Sequence, residues 1–196
     1  MNVLACISCF LMILASSCQG LVPDGGKVIV VQPFEDFSAE KANLIFTAIK
    51  EVNPNTLRRQ NLPLPRMAWN QVRGRYRADS LIRYLSRFGS TDTILIGLTN
   101  KDISTTKGQI QDWDIMGLGY CPGTACVVST FRLSPKDRDN QFYKVAMHEL
   151  GHTQGLAHCK DTTCFMRDAE GGNPLNSEKD FCSSCKRFLK NRGWRL

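Results

Sequence analysis

The sequence predicts an α/β (α+β) domain: a mixed, twisted sheet with helices packed on it, followed by a small C-terminal subdomain. Three observations carry this. Apolar β-branched runs alternate with segments of helical apolar period in the order β-α-loop-α-β-β-α, the pattern of helices laid on a mixed sheet. The chain has 196 residues and 42% hydrophobic content, enough for one domain with a sizeable core, or one with a small appended lobe. After Gly155 the composition changes: the remaining residues show little apolar periodicity, four cysteines and a GGNP turn. Burial alone is therefore a weak means of holding that part together.

KVIVVQPF (27–34) is a β-branched run stopped by Pro33 and reads as a strand. FSAEKANLIFTAIKEVN (37–53) reads as a helix, with Ser38 as N-cap and Leu44, Ile45, Ala48 and Ile49 as its apolar stripe. Residues 54–75 hold three prolines and no clear period, so they read as loop with at most one short strand. RADSLIRYLSRF (77–88) puts Leu81, Ile82, Leu85 and Phe88 on one face of a second helix. DTILIGLTN (92–100) is a buried strand, and ACVVST (125–130) is another, after a glycine-rich approach. SPKDRDNQFYKVAMHELGHTQG (134–155) is a third helix, with Phe142, Val145, Ala146 and Leu150 inward and Gly155 ending it. There are no internal repeats.

Residues 1–17 read as a signal peptide and 18–26 as a linker. The apolar run Val3 to Ala15 has signal-peptide length and is short for a bilayer. LASSC resembles a bacterial lipoprotein signal, in which Cys18 would be acylated; it departs in its uncharged n-region and in Leu14 standing four residues before the cysteine, where three is usual. The alternative is an uncleaved hydrophobic start. The expected location is thus outside the cytoplasm, lipid-anchored at the cell envelope, with a cytoplasmic location as the alternative. The net charge is +7, and much of it lies in CKRFLKNRGWRL at the C-terminus. Cations suit the end of a solvated helix, and this reading outweighs nucleic-acid contact, so no nucleic-acid partner is expected.

All three histidines fall within MHELGHTQGLAHC. His148 and His152, four apart on a helix, share one face at a distance a single metal ion can bridge. Glu149 sits beside them, able to reach a metal-bound water without ligating the metal. Gly155 lets the chain turn back and bring His158 to the same ion, because glycine takes positive φ without steric cost. Three neutral imidazoles and an open position make a catalytic zinc site, whose bound water has a pKa near ~7. A core role explains one histidine well but not three at this spacing with Glu and Gly in place. Cys159, Cys164, Cys182 and Cys185 form two close pairs that suit a tetrahedral, structural zinc. Two disulfides are the alternative.

The string from His148 through Cys185, with Met166 between, resembles the archaemetzincin signature within the metzincin clan of zinc metallopeptidases. RYRADSLIRYL, ILIGLTNKDIS and GLGYCPGTACVVSTFRL agree, and the resemblance covers residues from about 27 to about 190. It implies a metzincin-like catalytic domain over 27–196, divided into 27–155 and a four-cysteine zinc subdomain at 156–196. It implies peptide-bond hydrolysis with Glu149 as general base and acid, and two zinc ions per chain, one catalytic and one structural. Met166 would be the Met-turn residue beneath the catalytic zinc. An extended peptide or protein substrate would add to an edge strand, for which GLGYCPGTACVVS (117–129) is the candidate. The chain is expected to be a monomer. Endopeptidase and aminopeptidase readings stay open, and a latent or non-catalytic peptide- or surface-binding module is the alternative function. Outside the cytoplasm, the spacing of Cys121 and Cys126 would permit a disulfide.

Overall fold

The computed structural model describes residues 26–35 and 37–196, so the expected leader, Cys18 and nearly all of the linker lie outside the described part. Strand β1 (Val28–Pro33) leads into helix α1 (Ala39–Val52), strands β2 (Thr56–Arg58), β3 (Trp69–Asn70) and β4 (Arg75–Arg77), and helix α2 (Ala78–Leu85). Strands β5 (Thr93–Thr99), β6 (Ile103–Lys107), β7 (Ile110–Ile115), β8 (Gly117–Gly119) and β9 (Ala125–Ser129) follow, then the long helix α3 (Arg138–Gln154) and helix α4 (Ser183–Lys190).

The main sheet has the order β2-β1-β5-β9-β8. Its first four strands are parallel, with Val31 beside Ile96 and Gly97 beside Val127; β8 closes one edge antiparallel, pairing Leu118 with Val127. This is the expected mixed sheet with packed helices. Both faces are covered, which is why β1, β5 and β9 are continuous apolar runs rather than alternating ones. Ile29, Val31, Ile96 and Val128 face a large core with α1 and α3, while Val30, Leu95 and Val127 face a smaller core with Leu81, Ile82 and Leu85 of α2.

Three expectations need correction. The buried face of α1 is Ala42, Ile45 and Ile49, with Leu44 half exposed, although Ser38 does cap the helix by accepting from the Lys41 N–H. The stretch 54–75 is mainly loop as expected but holds more than one short strand, and β3 and β4 join β6 and β7, which were not foreseen from the sequence, in a second, four-stranded sheet. Its strands escape an apolar-period reading because ion pairs hold much of it. Arg75 reaches Asp102, Asp112 and Asp114, Arg73 pairs with Asp112 at 2.9 Å, and Arg132 grips Asp102 with two 2.8 Å bonds. Burial also contributes more to the C-terminal part than its composition suggests. Phe165, Leu175, Phe181, Leu189 and Trp194 join the large core. Few in number, they are widely spaced in sequence and converge only in space. No helix among the described residues is long and apolar enough to cross a membrane.

Candidate active site and metal centre

Helix α3 ends at Gly155, whose φ of 101° turns the chain back. His148 and His152 stand one turn apart on its cleft side. Each ring is fixed through Nδ1, His148 against the Phe165 carbonyl at 2.6 Å and His152 against the Leu156 carbonyl at 2.8 Å. A proton on each Nδ1 leaves the Nε2 lone pairs free, and these face each other at 3.0 Å. Two lone pairs that close repel unless a cation lies between them. Burial and the neighbouring rings push His148 down to about 3 and lower His152, so both are neutral near pH 7. His158 completes the set, its ring 5.4 Å from that of His148 and 4.9 Å from that of His152. The donor atoms of all three lie within 4.8 Å of one another. This donor set fits zinc.

Asp168 was not foreseen from the sequence. Its carboxylate meets His158 Nδ1 at 3.2 Å and turns the other ring nitrogen toward the site. Such an outer partner orients a metal-binding imidazole and raises its basicity. Asp168→Asn is expected to weaken zinc binding at the histidines by about 10–100-fold, measured by competition with a chromogenic chelator.

Glu149 is buried beneath β8, and the Gly119 N–H donates to its carboxylate. Burial pushes this carboxyl up to about 8, against the pull of that hydrogen bond. The close approach explains two of the glycines before β9. A Cβ on Gly117 would lie 2.6 Å from Glu149 Oε1, and one on Gly119 would lie 2.6 Å from the Glu149 backbone oxygen. The second obstacle is backbone and cannot swing away. Gly119→Ala is expected to lift β8 from α3, costing about 1–3 kcal/mol and at least about tenfold in turnover, read by thermal denaturation and peptide cleavage.

Strands β6, β7 and β8 and helix α3 bound a cleft of about 990 Å³, with residues 167–175 and Glu178 also lining it. His148, Glu149, His152 and His158 all face it. Of the expected edge stretch, only Gly117–Gly119 is edge strand; Ala125–Ser129 is interior, between β5 and β8. Met166 is fully buried, and its Sδ fills the space a Cβ on Gly151 would take, 2.4 Å away on the same helix that carries the histidines. Arg167 ties its own loop together through Thr162 O and Ser177 Oγ.

The sulfurs of Cys159, Cys164, Cys182 and Cys185 lie within 4.8 Å of one another, and all four are free thiols rather than two disulfides. Burial pushes the Cys164 thiol up to about 11, against the pull of the N–H groups of Met166 at 3.4 Å and Cys182 at 3.2 Å, which donate to its Sγ. Burial opposes ionisation of Cys182, but hydrogen bonds from Ser184 and the Cys185 backbone bring it down to about 6. Four converging sulfurs fit a tetrahedral zinc. The two clusters adjoin: His158 belongs to one and Cys159 to the other, and the Cys159 N–H donates to the Met166 carbonyl at 2.7 Å. Cys121 and Cys126 form no bridge. Cys126 points into the large core, and Cys121 Sγ donates to the Leu156 carbonyl at 3.3 Å.

A family model described as Peptidase family M54 matches residues 30–191. An archaemetzincin of Haloquadratum walsbyi is 32% identical over 139 residues, which is 64% of this chain and 78% of that protein. One of Methanopyrus kandleri is 30% identical over 138 residues, 68% of this chain and 77% of that protein. The crystal structure of the Methanopyrus kandleri archaemetzincin superposes with a TM-score of 0.73 at 26% identity, covering 88% of this chain and 98% of that one.

Proposed function

The chain belongs to peptidase family M54 and is a zinc metallopeptidase of the archaemetzincin kind, and from that premise we propose how its residues divide the work. His148, His152 and His158 hold the catalytic zinc, and Cys159, Cys164, Cys182 and Cys185 hold a second, structural zinc. The catalytic zinc, when bound, supplies Lewis acidity to the scissile carbonyl and to the attacking water. Glu149 accepts the proton of that water and delivers it to the leaving amine. The Gly119 N–H aims the Glu149 carboxylate across the cleft. Met166 packs beneath the histidines and fixes their helix. An extended peptide or protein substrate pairs with the outer edge of β8.

The observation that carries this reading is the convergence of three imidazoles and one buried carboxylate on a single open cleft. Export, lipid attachment at Cys18, a monomeric state and the absence of a nucleic-acid partner remain part of the proposal and rest on the sequence alone. The test is cleavage of a diverse peptide pool by the mature, zinc-loaded chain, read by mass spectrometry against the same chain carrying Glu149→Gln. Products made by the wild type alone support the peptidase and show whether it trims ends or cuts internally. An identical product list, with two zinc ions measured in both proteins, defeats the assignment and favours a binding module.

A further inference from the structure

Glu178 lines the cleft opposite helix α3 and is 3% exposed. Its Oε2 is buried without a hydrogen-bond partner. The other buried or half-buried carboxylates of the cleft are engaged: Asp112 and Asp114 with arginines, Asp168 with His158, and Glu149 with the Gly119 N–H. The cations nearest Glu178 are engaged too, but not by its carboxylate. Lys144 Nζ donates to the backbone carbonyls of Leu175 at 2.6 Å and Glu178 at 2.7 Å. Arg167 holds Thr162 O and Ser177 Oγ. Burial pushes the Glu178 carboxyl up to about 7, with Lys144 and Arg167 pulling the other way. A buried, orphaned carboxylate oxygen costs free energy, and its persistence points to a partner arriving from outside.

The position suits a substrate group. Lys144 lies one turn before His148 on α3, about 6 Å along the axis. Lys144 Nζ holds the Glu178 backbone, and Glu178 lines the same cleft as His148, His152 and His158. A substrate residue lying in that cleft can therefore bring its charge toward Glu178.

We propose that Glu178 is the specificity-determining acid of this cleft, pairing with an ammonium or guanidinium of the substrate next to the scissile bond. The inference rests on the peptidase reading above. The cation has two sources: a lysine or arginine side chain, or the α-ammonium of a substrate N-terminus.

The test uses the full, zinc-loaded chain and paired peptides with lysine or norleucine beside the cleavage site, each with a free or an acetylated N-terminus. The wild type is expected to favour the cationic member by about 10–100-fold in kcat/KM, and E178Q to bring that ratio near one. A lysine preference that survives acetylation identifies the side chain; a preference lost on acetylation identifies the α-ammonium. Equal cleavage of all peptides by the wild type overturns the inference and leaves the peptidase intact. E178Q that melts lower but keeps the wild-type ratio also overturns it, because Glu178 then only balances Lys144. Should no peptide be cut, fluorescence anisotropy with the same labelled peptides on Glu149→Gln protein decides independently. Tighter cationic binding that vanishes in E149Q/E178Q upholds the inference, and equal binding overturns it.

Discussion

Glu149→Gln is expected to lower turnover by about 10²–10⁴-fold, the range general acid–base groups contribute, while zinc content and folding stay as in the wild type. Glutamine keeps the shape of the buried side chain, so the packing of α3 under β8 survives. Its amide oxygen can still accept from the Gly119 N–H that the native carboxylate uses. What it cannot do is take a proton from water and hand it to an amine. Glu149→Ala is a poorer test, since it also empties space against Gly117, whose Cβ position lies 2.7 Å from Glu149 Cγ. The measurement is kcat on a cleaved peptide together with metal analysis of the same sample. A fully zinc-loaded glutamine variant with wild-type kcat would sink the assignment of Glu149.

The second large effect is at the four-thiol cluster. Cys185→Ser is expected to release the structural zinc, lower Tm by about 10 °C or more, and abolish cleavage. Structural zinc sites contribute on the order of 10 kcal/mol of apparent binding energy, and for a chain of this size each kcal/mol moves Tm by roughly 2–4 °C. Cys185 projects from α4 into the large core, 5% exposed, so neither a charged replacement ligand nor water can repair the site cheaply. Activity falls with stability because Cys159 follows His158 directly in the chain. Cys121→Ser is the control: Cys121 belongs to neither cluster, and its change should leave zinc content untouched. If Cys185→Ser kept two zinc ions and the wild-type Tm, the structural site would be wrong.

The two donor clusters were legible in the sequence because metal chemistry restricts residue type and spacing together. Three histidines around Glu149 and Gly155 admit few other readings, and the structure gathers both donor sets as the spacing implied. The main sheet was legible for a related reason, since strands covered on both faces must be apolar throughout. The second sheet was not. β6 and β7 carry threonine, glutamine and aspartate, and their order comes from arginines that arrive from β3–β4 and from Arg132. Ion pairs across thirty residues leave no local period. Asp168, Lys144 and Glu178 were missed for the same cause. Each acts through one contact distant in sequence, and a lone aspartate, lysine or glutamate in a polar stretch reads as solvated surface.

The two cores close at different points of synthesis. The smaller draws its fully buried members from Val30 to Val127, while the larger needs residues from Ile29 to Trp194. A ribosome delivers the chain N-terminus first. Every member of the smaller core therefore precedes the three histidines and the four-cysteine cluster in the chain. The larger cannot be completed until the segment through Trp194 has been delivered. Both donor clusters lie in that later part of the chain. A chain delivered only as far as the smaller core holds neither donor cluster assembled.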